Sequence, residues 1–220
     1  CCSPRKKSSC ALLISIVAMA VLCLLREYML APNPDSSWLL SAAQRVAAGE
    51  RLYVDVMETN PPLIVWLNML PVWIAHVFPV MPERVWPLVV AGVNAISLWC
   101  VWRVLMAQPI GQSQSRVSTL MVAIAVLYFL CSTLMYGERE LLFIALVAPY
   151  LMQSLGERKP WRQWRGLDVG VALMAMIGFT LKPFFLLLWG VNELCRAGQL
   201  RQWRSVFEPI NWCVGLAQIF

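Results

Sequence analysis

Four charged side chains stand where an apolar chain has least reason to place them: Asp35, Glu138, Glu140 and Lys182. Asp35 lies in Pro32-Asn33-Pro34-Asp35-Ser36-Ser37-Trp38, ahead of an acidic, tyrosine-bearing loop that ends Glu58-Thr59-Asn60-Pro61-Pro62. Glu138 and Glu140 flank Arg139 in the turn Tyr136-Gly137-Glu138-Arg139-Glu140, and Lys182 precedes Pro183 inside a long apolar run. Charges at membrane depth are costly and mark a cavity or a path. Two acidic sites beside a lysine suit one kind of chemistry, in which an anionic phosphate leaving group is held while a carboxylate deprotonates an incoming nucleophile. Each residue also has a structural use. Asp35 suits a helix N-cap, the glutamates a solvated turn, Arg139 an ion pair, and Lys182 a snorkel to headgroups.

The elements that must position these residues are apolar helices. The chain is 60% hydrophobic and 14% charged, against about 45–50% and ~25% in soluble domains, which predicts an all-α polytopic membrane protein. Its net charge of +6 does not imply nucleic acid, because Lys and Arg cluster in short loops between apolar runs. The eight cysteines show no C-x-x-C spacing and read as small buried hydrophobes, and His76 stands alone. The first residue is not Met and a new apolar run is only beginning at 208, so the chain reads as an N-terminal fragment.

Apolar runs place spans at about 10–26, 84–105, 117–135, 141–155, 167–181 and 183–195, with another starting at 208. Arg5, Lys6 and Lys7 precede the first, which lacks a small-x-small cleavage site and reads as an uncleaved span with a cytoplasmic N-terminus. Within 32–80, Asp35 is expected to cap a short helix from Ser36 to about Ala48, closed by Gly49. Leu39, Ala42, Ala43 and Val46 make its apolar stripe, as in an interfacial amphipathic helix. The segment 61–79 is apolar enough to span, but counting it as a span would put the basic clusters at 103–116 and 158–165 outside. Read as non-spanning, it leaves Arg103, Arg116, Arg158, Lys159, Arg162, Arg165, Arg196, Arg201 and Arg204 on the cytoplasmic side and both acidic turns outside.

The order of these features resembles the C-type (GT-C) membrane glycosyltransferases, among them the protein O-mannosyltransferases, the lipid A aminoarabinose transferase and the oligosaccharyltransferases. The shared pattern is an acidic residue just after span one (Asp35), an amphipathic helix ending G-x-x-Y (Gly49-Glu50-Arg51-Leu52-Tyr53), and an acidic-then-proline motif (Glu58-Thr59-Asn60-Pro61-Pro62). A second acidic motif follows (Glu138-Arg139-Glu140), and then a late T-x-K-[PG] break (Thr180-Leu181-Lys182-Pro183). The resemblance covers nearly the whole chain. It implies a GT-C-like helical bundle with periplasmic juxtamembrane helices, in a bacterial inner membrane, with its active site on the outer face.

The resemblance further implies transfer of a sugar, with inversion, from a polyprenyl-phosphate donor to a glycan, lipid or protein acceptor. Asp35 would be the general base. Lys182, Arg139, Tyr53 and Asn60 would contact the donor or its phosphate, although relatives often carry Lys or His where Asn60 stands. Glu138, Glu140 and Glu58 would form the second acidic site. A divalent metal would fall to Asp35, Glu138 and Glu140. The Glu-Arg-Glu motif departs from the more usual Asp-containing version, which leaves metal dependence open. The alternative is a transporter or lipid-linked sugar flippase, a class that predicts repeated halves; one break and no repeat are visible. A non-catalytic scaffold is the third reading.

Overall fold

The computed structural model of the chain describes residues 4–30, 33–131, 136–156, 161–200 and 203–218. Cys1, Cys2, Pro32, Arg158, Lys159, Arg201 and Phe220 lie outside them. Nine α-helices follow one another among the described residues: α1 (Pro4–Met29), α2 (Pro34–Ala47), α3 (Pro62–Val77), α4 (Pro82–Met106), α5 (Gln114–Val126), α6 (Arg139–Ser154), α7 (Gly166–Thr180), α8 (Phe185–Leu200) and α9 (Pro209–Leu216). A π-helical turn, Leu127–Cys131, extends α5. No strand accompanies them there; a single bridge joins Leu52 to Val56.

Prolines set where several helices begin. Pro34, Pro62, Pro82 and Pro209 open α2, α3, α4 and α9, where a missing N–H costs nothing because the first amides have no helical acceptor. The cap of α2 differs from expectation. Asn33, not Asp35, is the N-cap, and its side chain accepts the Asp35 amide at 2.9 Å. Pro34 supplies a preset φ at the first helical position, so the helix starts earlier and moves Asp35 into its first turn. At the other end the closure is as expected. Gly49 adopts φ +100°, its amide donates to Val46 O at 3.0 Å, and that of Glu50 to Arg45 O at 3.1 Å. This is a Schellman cap, which a side chain at Gly49 would strain.

Helix α6 packs between α4 and α7, α2 lies on α3, α3 on α4, and α1 against α4 and α5. The core is aromatic at its centre: Phe143 stacks on Phe185 at 3.8 Å and meets Phe179 edge-on at 5.7 Å, and Tyr150 meets Phe179 edge-on at 5.5 Å. Gly178 lets α7 approach α6, since a Cβ there would lie 2.7 Å from Val147 Cγ2 and 3.1 Å from Leu146 Cβ. Inside the bundle, Ser97 Oγ and Tyr128 OH share a hydrogen bond of 2.7 Å. Cys23 and Cys100 are buried as expected of small hydrophobes, whereas Cys195 is exposed.

Among the described residues, two helices are long and apolar enough to cross a membrane: α1, over Ala11–Met29, and α4, over Pro82–Met106. Helix α1 turns one stripe, Leu12, Ile16, Met19, Ala20 and Cys23, to the core. It leaves Leu13, Ile14, Val17, Val21, Leu22 and Leu25 exposed. Among the described residues the other apolar runs form α5 to α8, with 132–135 of the run expected at 117–135 lying outside them; α5 has 13 residues, α6 and α8 have 16, and α7 has 15. Each is short of the roughly 20 residues of a full crossing. Helix α3, with 16 residues, is about 24 Å long.

Candidate functional site

The three polar features meet. Helix α2 presents Asp35 in its first turn, α6 presents Glu138 at its N-cap and Arg139 at its first position, and the break between α7 and α8 presents Lys182. The break follows from Pro183, which disfavours helical backbone at Lys182 and lacks an amide to continue α7. Asp35 Oδ2 stands 3.7 Å from Arg139 Nη2. Asn33 donates from Nδ2 to Glu138 Oε1 at 2.6 Å, and Lys182 Nζ pairs with Glu140 Oε1. Lys182 also lies 5.3 Å from the centre of the Phe184 ring, a cation–π contact.

Exposure separates the roles within this cluster. The Asp35 side chain is 65% exposed, whereas Arg139 keeps only 12%. Arg139 Nη1 is buried and has no hydrogen-bond acceptor among the described residues, an expensive state for a guanidinium N–H. Burial raises Glu138 above the ordinary glutamate value, and the charges of Glu140 and then Asp35 add to this; the bond from Asn33 and the charge of Arg139 oppose it. The result is an open carboxylate beside a buried cation that has a donor to spare. A protonatable glutamate stands next to them.

A second cluster folds the loop after α2 back onto that helix. Trp38 Nε1, one turn beyond Asp35, donates to Glu58 Oε2 at 2.8 Å. Glu58 Oε1 accepts the amides of Thr59 at 2.8 Å and Asn60 at 3.0 Å, and also the Asn60 side-chain amide. Tyr53, at φ +69°, donates from its hydroxyl to Asn60 O at 2.6 Å. Arg45 braces the same loop through Glu50 and Asp55 O, and Arg51 through Asp55. Burial raises Glu58, but the hydrogen bonds from Asn60, Trp38 and Thr59 outweigh it and hold the carboxyl below the ordinary value. Glu58, Asn60 and Tyr53, expected as donor contacts and a second acidic site, are therefore occupied in shaping the loop.

The metal expectation is not met by the donor geometry. Asp35 faces Arg139, Glu138 holds Asn33 and Glu140 holds Lys182. No group of three or more His, Cys, Asp or Glu side chains placed to hold a metal ion occurs among the described residues. These carboxylates are spread by their own partners, so no step below runs through a metal.

Sequence reasoning missed a buried polar cluster between α6, α8 and α9. Glu193 is 2% exposed; its carboxylate accepts from Tyr150 OH, from Asn192 Nδ2 at 2.9 Å and from Asn211 Nδ2 at 2.6 Å. Arg196, 5% exposed, pairs with Glu208 at 2.6 Å. A glutamate in the apolar run 185–195 was the available signal. With both carboxylate oxygens occupied, the cluster ties helices together.

Comparison with protein-family models, curated proteins and solved structures returned no match to this chain.

Proposed function

We propose that the chain belongs to an integral-membrane glycosyltransferase that uses a polyprenyl-phosphate sugar, with its site on the outer face of the inner membrane. One observation carries the reading: the exposed Asp35 carboxylate lies against Arg139, whose buried Nη1–H finds no acceptor among the described residues. An acceptor hydroxyl would give its proton to Asp35 while its oxygen attacks the anomeric carbon from the face opposite the phosphate. As that bond forms, the bond from the anomeric carbon to the phosphate oxygen breaks. The electron pair leaves with the lipid phosphate, whose charge Arg139 and Lys182 would offset. Attack opposite the leaving group inverts the anomeric centre.

The membrane setting is supported by α1. Its stripe of exposed large aliphatic side chains would be a costly patch in water and none in lipid. In this reading α5 to α8 also enter the bilayer, and the donor's tail stays there while its sugar reaches the polar cluster.

The test compares full-length wild type and Asp35→Asn in membranes for transfer from radiolabelled polyprenyl-phosphate sugars. Loss of a general base lowers the rate by about 10²–10⁴-fold. Equal transfer by both proteins removes Asp35 from the chemistry. Absence of transfer from every donor favours the flippase reading.

A further inference from the structure

Beside the Asp35 cluster lies a cavity of about 200 Å³ that none of Asp35, Glu138, Glu140 and Lys182 lines. It is lined by the C-terminal end of α1, the N-terminal ends of α2 and α4, and Tyr136, and its polar lining is Glu27, Asn33, Ser36, Glu83, Arg84 and Trp86. Two of these residues have unmet hydrogen-bonding capacity. Trp86 is 4% exposed and Ser36 is 3% exposed, and neither Trp86 Nε1 nor Ser36 Oγ has a partner among the described residues. An indole N–H only donates, so it calls for an acceptor; a hydroxyl can do either.

Gly137 packs close to both atoms. A Cβ on it would collide with Trp86 Nε1 and lie 3.4 Å from Ser36 Oγ, and its φ of +83° is one that glycine tolerates. The cavity wall is also built. Arg84 donates to Tyr28 O and lies over the Tyr28 ring at 5.5 Å, and Tyr28 OH donates back to Arg84 O at 3.1 Å. Tyr136 OH donates to Pro87 O at 3.2 Å.

Charge and size narrow the ligand. Two carboxylates, Glu27 and Glu83, and one guanidinium, Arg84, line the cavity, and Glu27 pairs with the neighbouring Arg26 at 3.3 Å, so the wall offers an anion no excess of positive charge. The carboxylates accept from hydroxyls, while Trp86 and Ser36 give to an oxygen. The volume is below the ~300–1,000 Å³ of sites for drug-sized ligands. We propose that this cavity binds a small, uncharged, hydroxyl-rich group with the size and hydrogen-bonding pattern of one monosaccharide ring. As the seat of a transferred or accepting sugar it rests on the glycosyltransferase reading; as a binding site it does not.

The experiment therefore reads binding alone. The full chain, labelled with ¹⁵N at the tryptophan indoles and held in lipid nanodiscs, is titrated separately with D-mannose, D-glucose, D-galactose and L-arabinose. Inorganic phosphate is the anionic control. The expected result is a saturable shift of one indole N–H resonance, the one missing from Trp86→Phe, caused by at least one sugar and not by phosphate. Ser36→Ala should weaken that sugar about tenfold, the loss of one hydrogen bond. If Trp86→Phe fails to fold, equilibrium dialysis of the radiolabelled sugars against wild type and Ser36→Ala gives the same comparison. A resonance unmoved by every sugar through the millimolar range means the cavity holds only water and overturns the proposal. An equal response to phosphate, or undiminished affinity in Ser36→Ala, overturns it too. None of these outcomes depends on transfer, so the Asp35→Asn assay can fail or succeed independently.

Discussion

Lys182 and Glu140 show why a charge pair at such a site needs two substitutions rather than one. Lys182 retains 16% of its side-chain exposure and Glu140 38%, so the pair lies between a surface bridge and a buried one. Lys182→Met strands the glutamate and should cost about 1–2 kcal/mol of stability. Adding Glu140→Gln should return most of it, because no charge is then left unpaired. Transfer should stay low in both proteins if Lys182 helps offset the phosphate charge. Thermal unfolding in detergent beside the transfer assay separates the two effects. If the double substitution restores activity along with stability, Lys182 serves only the pair.

Glu58 gives a pH dependence whose sign follows from its partners. Its folded value lies below the ordinary 4.5, because the bonds from Asn60, Trp38 and Thr59 favour the carboxylate. The stabilisation is therefore complete above about that value and is lost as pH falls through the lower folded value. Wild type should exceed Glu58→Gln in melting temperature at neutral pH, and the gap should close on acidification below the ordinary value of 4.5. A gap independent of pH would mean that the carboxylate charge is not what holds the loop to Trp38.

At the scale of elements, two glycines have different roles. Gly49 ends α2 in a conformation with positive φ, so Gly49→Val should destabilise by at least about 1–2 kcal/mol through backbone strain alone. Gly178 sits in a helix and clears space for α6, so Gly178→Ile should cost about 1–3 kcal/mol through overpacking. Pairing Gly178→Ile with Val147→Ala should recover part of that loss. Gly49→Val has no such rescue. Denaturant or thermal melts of these variants check both statements, and a tolerated Gly178→Ile would show that α6 and α7 can separate cheaply.

For the whole molecule, the orientation of the chain can be tested at two loops. The glycosyltransferase reading puts the Glu58 loop outside and the connection between α4 and α5 inside, with Arg103 and Arg116 beside it. In a background stripped of native cysteines, Thr59→Cys should react with a membrane-impermeant maleimide in intact cells. Ser113→Cys should react only after lysis. Labelling of both in intact cells would overturn the topology, and with it a site shared by Asp35, Arg139 and Lys182 on the outer face.

Local signals are legible in the chain itself. The Gly49 stop, the Lys182-Pro183 break and the buried stripe of Leu39, Ala42 and Ala43 depend on neighbours within a turn or two, so dihedral limits and helical period are enough. The meeting of the Asp35, Arg139 and Lys182 segments is also anticipated, by the positive-inside count that assigns all three to one face. The sequence misleads where two local solutions compete: Asn33 and Asp35 are both good caps, and Pro34 decides between them.

By itself, then, the sequence determined an all-helical chain, the helices' approximate limits, and which polar segments face together, because these follow from periodicity, proline and glycine chemistry, and charge placement. Only the tertiary structure decided that Glu58 is spent on its loop, that Arg139 keeps a donor unmatched among the described residues, and that Trp86 and Ser36, which line one cavity, meet beside Gly137. Those outcomes depend on residues far apart in the chain, 36 with 86 and 137, whose meeting is set by how α2, α4 and the turn before α6 pack. No local pattern encodes which hydrogen bonds such packing will satisfy and which it will leave open.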